Sequence, residues 1–105
     1  METKTTTITT EIVSEADSVS SGEVELTVKN PYSTIEAVKE AFEGRGEVTE
    51  GRKGLFIAHD GGHAWWEFSL SHSQEDPTHL VMIVESSNGY LMSVIKDDIL
   101  EVIEA

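Results

Sequence analysis

The stretch that most restricts how this chain can fold runs from Gly54 to Leu70, GLFIAHDGGHAWWEFSL, two apolar-rich runs on either side of Asp-Gly-Gly. Asp60-Gly61 is a preferred pair for a two-residue type I′ turn, because both central residues of that turn need φ > 0. A turn there predicts a β-hairpin with Ile57 opposite Ala64 and Phe56 opposite Trp65. Side chains alternate faces along a strand, so Leu55, Ile57, Ala64, Trp66, Phe68 and Leu70 share a core face. Phe56, Ala58, His63, Trp65, Glu67 and Ser69 share the other. In a one-sided sheet the second face is polar. Here it carries two large aromatics, and Val81, Ile83, Met92 and Val94 are candidates to extend it.

The rest of the chain supplies partners for this hairpin. Residues 4–13 are rich in Thr, Ile and Val and read as an edge strand, followed by a polar loop over residues 14–22. EVELTVKN then alternates, with Val24, Leu26 and Val28 facing inward. After Pro31, Ser33-x-x-Glu36 matches a capping box, and Tyr32 and Ala37 are spaced as a hydrophobic staple. This predicts a helix with Ile35, Val38, Ala41 and Phe42 buried and Gly44 as its stop. Two strands around Gly51-Arg52 lead into the central hairpin, and HLVMIVES forms a further strand. Asn88-Gly89 is a second I′ signal and predicts a return strand, YLMSVI. Asp98-x-x-Glu101 then opens a helix of about two turns with Ile99, Val102 and Ile103 inward, ILEVI as a strand being the alternative.

The predicted architecture is one α+β domain over residues 1–105, with residues 1–4 frayed. Its antiparallel sheet has about six or seven strands, one helix follows strand 2, and a short helix ends the chain. Helix-grip and TATA-box-binding-protein-like folds share parts of this order, a likeness that carries no function.

Charge narrows the function classes. Twenty acidic residues oppose seven basic ones, a net charge of −13. Such a field repels nucleic acid and anionic membranes and attracts basic partners. Solubility, adaptation to high salt, or competition with nucleic acid for a basic groove would each account for it. The chain has no cysteine, so thiolate sites and disulfides are excluded. No apolar run approaches the roughly 20 residues that span a bilayer. The first residues, METKTTTITTEIV, lack the basic and apolar regions of a signal peptide, so a cytoplasmic location is expected.

Specific chemistry is sparse. His59, His63, His72 and His79, with Asp60, Glu75 and Asp76, invite a metal reading. His63 and His72 lie nine residues apart on one strand, roughly 30 Å at about 3.3 Å per residue, so the four cannot share an ion. His63 and Glu67 are too far apart along the same strand, about 13 Å, to act as base and orienter. No catalytic or phosphate-binding motif is present. The expectation is therefore no enzyme, no metal, no cofactor and no catalytic residue. It is a small acidic interaction module that binds and inhibits a basic, nucleic-acid-binding protein by occlusion, as anti-defence and immunity proteins do. Phe56 and Trp65 are the predicted anchors, with Glu67 beside them. Glu36, Glu40 and Glu43 form an acidic helix stripe at about 5–6 Å intervals, close to phosphate spacing along a strand. A homodimer through the second sheet face is a further possibility. A ligand-binding cleft between sheet and helix, lined by Trp65 or Trp66, is the first alternative, and a small enzyme using the histidine loops is the second.

Overall fold

Period-two alternation of apolar residues builds one antiparallel sheet, and period-3.6 stripes on two helices cover one of its faces, an α+β arrangement. The computed structural model describes residues 7–16, 19–51, 54–62, 64–73 and 75–104. The expected fraying of residues 1–4, the Arg52 half of the Gly51-Arg52 turn and the ligand candidate His63 lie outside them. The elements are β1 (Thr7–Ala16), β2 (Val19–Thr27), α1 (Pro31–Phe42), β3 (Glu47–Glu50), β4 (Gly54–Asp60), β5 (Trp65–His72), β6 (His79–Ser86) and α2 (Gly89–Glu104). Their order across the sheet is β1-β2-β6-β5-β4-β3. A meander from β3 to β6 therefore meets the N-terminal hairpin through β2 and β6. Among the described residues no helix is long and apolar enough to cross a membrane.

The core lies between the sheet and both helices. Leu26, Ile57, Phe68, Leu70, Leu80, Met82 and Val84 point into it from the strands. Val38 and Phe42 of α1, and Met92, Ile95, Ile99 and Ile103 of α2, close it from above. Burying such a side chain is worth about 1.5–3 kcal/mol. Phe42 is the hub, with its ring centroid 5.1 Å from Phe68 and 5.9 Å from Trp66. Arg45 lies 4.5 Å over the outer face of Phe42 and bonds Asp98 at 3.2 Å, tying the end of α1 to α2.

Five local expectations need correction. The central hairpin does not turn at Asp60-Gly61. Its strands stop at Asp60 and resume at Trp65, so Phe56 opposes Ser69 and Trp65 opposes Asp60. Asp60 stays extended and its carboxylate accepts from Gly62 N at 3.0 Å, while the positive φ, 82°, falls on Gly62. The register moves by two residues on each strand, and this even slip keeps Leu55, Ile57, Trp66, Phe68 and Leu70 on the core face and Phe56 on the other, while Ala64, expected in the core, is exposed in the turn.

Residues 14–16 and 19–22 are strand, not loop, because residues 20–22 are paired on both sides, with β1 and with β6. The cap of α1 is Asn30 rather than Ser33. Asn30 Oδ1 accepts from Ser33 N at 3.1 Å, and Pro31 fills the first turn, where its missing N–H costs nothing. The buried stripe is Thr34, Val38 and Phe42, four residues apart, with Ile35 partly buried beside it and Ala41 exposed, and α1 ends at Glu43 without a left-handed Gly44. The largest difference is α2. Asn88 is its N-cap, with Oδ1 accepting from Leu91 N at 2.7 Å, and Gly89 is helical. Neither YLMSVI nor ILEVI is a strand, because Met92, Ile95, Ile99 and Ile103 recur at helical spacing and together cover the sheet.

Candidate functional site

Two helices on one face leave the other face of the sheet uncovered among the described residues. Its composition follows from alternation. β2 contributes Glu23 and Glu25, β6 contributes Val81, Ile83 and Glu85, β5 contributes Trp65, Glu67, Ser69 and Ser71, and β4 contributes Phe56 and Ala58. Phe56 and Ile83 remain 39% and 38% exposed. Both flank Ser69, which pairs with Phe56 on one side and with Ile83 on the other. Met92 and Val94 do not join this face, since both belong to α2.

One row along, Glu67 and Glu85 stand directly opposite each other on β5 and β6. Burial, a hydrogen bond with Glu85 and its charge push the Glu67 carboxyl above the usual carboxylate range. Phe56, Ser69, Ile83 and the two carboxylates line a shallow trough of about 150 Å³. A second depression, about 360 Å³, lies at the other end of β5 between Ala58, His59, Asp60, Trp65, Trp66 and Glu67. Trp65 is half-buried there, and its carbonyl is held by Ser86 Oγ and Ser87 N, both at 3.0 Å. None of the six described strands contains a Lys or Arg.

The predicted site residues are therefore divided. Phe56, Trp65 and Glu67 share the open face, although Phe56 and Trp65 are not cross-strand partners. Glu36, Glu40 and Glu43 are exposed on α1, which packs on the opposite face of the sheet, so the acidic stripe and the aromatic face point to different sides. Lys39, beside that stripe, bonds Glu50 at 3.3 Å, and this hydrogen bond holds its ammonium above the usual range. Glu85 is the residue that sequence reasoning missed. Alternation in HLVMIVES puts it on the face of Ile83, but pairing it with Glu67 needs the register across residues 73–78. Asp76 sets that turn by accepting from Thr78 N at 3.1 Å and Thr78 Oγ1 at 2.6 Å, and these bonds hold its carboxyl below the usual range.

The described histidines diverge. His59 stacks on Trp66, with centroids 5.7 Å apart. His72 meets Tyr32 edge-on at 5.8 Å on the helix side, and His79 Nε2 lies 3.2 Å from Glu25 on the open face. Among the described residues no three His, Asp or Glu side chains converge as metal ligands. Comparison of the chain with protein-family models, curated proteins and solved structures returns no match.

Proposed function

We propose that this chain is a small acidic interaction module that binds a basic, nucleic-acid-binding protein and inhibits it by occlusion. The observation that supports this is a sheet face that is uncovered among the described residues and whose described strands carry no Lys or Arg. On it, exposed Phe56 and Ile83 sit among Glu23, Glu67 and Glu85. Exposed apolar surface marks interaction sites, and carboxylates around it select and steer a cationic partner. Phe56 and Trp65 are the anchors in this reading. The carboxylates of α1 act at longer range, raising the rate of encounter rather than forming the interface. Direct nucleic-acid binding is disfavoured, since affinity for phosphate depends on Lys and Arg.

Other occupants fit less well. A face-to-face homodimer would bring the Glu67–Glu85 pairs of two copies into one dehydrated layer, which is costly without counter-charges. The notch between α1 and the sheet, lined by Tyr32, Ile35, Glu36, Glu50, Gly51, Gly54 and His72, holds about 210 Å³. That is below the about 300 Å³ usual for small-molecule sites, and the depression of about 360 Å³ at Trp65 and Trp66 lies at the end of the β4–β5 hairpin rather than in a cleft between sheet and helix.

Differential affinity capture from source cells tests the proposal. One bait is the wild-type chain, the second Phe56→Ala with Glu85→Lys, and the third Glu36→Lys with Glu40→Lys and Glu43→Lys. Circular dichroism confirms that each is folded. The expected result is a basic protein captured by the first and third baits, lost with the second, and released from its nucleic acid by the free chain. Identical capture by the first two baits, or a captured partner that keeps its nucleic acid, overturns the reading.

A further inference from the structure

Resting on that reading, we propose that the trough between Phe56 and Ile83 is the seat of a single arginine side chain of the partner, its guanidinium on Glu67 and Glu85. Like charges directly opposite each other on adjacent strands destabilise a sheet, yet Glu67 and Glu85 occupy such positions on β5 and β6. Local conflicts of this kind concentrate at functional sites. A shared proton relieves it only while one carboxyl is protonated, and the described strands contain no Lys or Arg to relieve it when both are ionised. The groups facing the pair are Ala58 from β4 and Ser21 from β2, with His59 and Asp60 at the neighbouring depression and Glu23 one row away beside Ile83.

The trough supplies the second half of the recognition. Its floor is Ser69, a small side chain, and its walls are Phe56 and Ile83. Those walls stand two strand spacings apart, about 9.6 Å between backbones, which leaves room for one aliphatic stem. The carboxylates lie two residues further along the strand, about 7 Å, within reach of an arginine whose stem lies over Ser69. An apolar channel ending in a paired carboxylate matches a side chain with an apolar stem and a charged head. Arginine fits better than lysine on three counts. Its planar fork can bond two adjacent carboxylates at once, it stacks on an aromatic wall such as Phe56, and it sheds water more readily on entering a half-buried site.

The test uses a synthetic probe. Isotope-labelled protein is titrated with the blocked peptide acetyl-Ala-Ala-Arg-Ala-Ala-amide, and with the same peptide carrying norleucine in place of arginine, while NMR follows backbone amides and glutamate carboxyl carbons. With the arginine peptide, shifts should be confined to Phe56, Glu67, Ser69, Ile83 and Glu85, and saturation should lower the midpoint of the Glu67 titration. The norleucine peptide should leave these signals in place. Glu67→Gln combined with Glu85→Gln should weaken arginine-peptide binding about tenfold or more. Shifts spread equally over Glu36, Glu40 and Glu101, or unchanged affinity in the double variant, would overturn the inference. Seating of the peptide without a partner in the capture experiment would instead remove the inhibitory reading and leave the arginine seat standing.

Discussion

Phe56 and Phe68 offer the sharpest test of a sheet covered on one face only, because they are chemically identical and point to opposite sides. Phe68 is 1% exposed and packs against Phe42 and Trp66. Truncation to alanine removes its transfer energy and leaves a cavity, a loss of about 3–5 kcal/mol. Phe56 is 39% exposed. It forfeits about six-tenths of a full-burial value of about 1.5–3 kcal/mol, or about 1–2 kcal/mol, and leaves no cavity because no layer lies over it. Urea unfolding of Phe56→Ala and Phe68→Ala at 25 °C, followed by circular dichroism, should therefore give losses differing by about twofold or more, at unchanged slope. Equal losses would mean that the second face is packed in solution, and the docking surface would have to be abandoned.

Four further outcomes follow from the same geometry. Glu67 holds its proton more tightly in the folded than in the unfolded state, so its contribution is present below the ordinary value near 4.5 and is lost as pH rises through the folded one. Glu67→Gln should thus raise stability at pH 7 by about 0.5 kcal/mol and flatten the pH profile just above 4.5; a less stable variant at pH 7 would contradict the pairing with Glu85. Asn88→Ala should cost about 1 kcal/mol by removing the cap of α2, read as a fall in thermal midpoint of about 4–8 °C. Gly54→Ala should destabilise by about 1–3 kcal/mol, since a Cβ there would meet the backbone of Leu70 and lie 2.7 Å from Ser71 Cα. In buffer of low ionic strength the wild type should melt cooperatively, and collapse of the fold below molar salt would point to high-salt adaptation instead.

The faces of the central strands were legible because alternation survives an even slip of register. Leu55, Ile57, Trp66, Phe68 and Leu70 are buried and Phe56 is exposed, whichever turn joins them. Turn and cap chemistry was less legible. Asp-Gly-Gly offers several places for a positive φ, and Asn-Gly suits both a hairpin turn and a helix start, so Asn88 turned on the apolar spacing of the following sixteen residues. The division of the site into an aromatic face and a remote acidic helix could not be read at all. It depends on which side of the sheet the helices choose, and that is settled by Phe42 and Ile99 packing in three dimensions.

The seam between β2 and β6 has a kinetic consequence. Ser20 pairs with Ser86, and Leu26 with Leu80, across more than half the chain. As synthesis proceeds, β2 and α1 emerge early, yet the strand that joins β2 to the meander is the last to appear. Until β6 leaves the ribosome, Val24, Leu26 and Phe42 have an incomplete layer to pack against. Long-range pairing of this kind slows folding and prolongs exposure of apolar edges. A nascent chain stopped before His79 should remain open to protease along β2 and α1, and release of β6 together with α2 should close both.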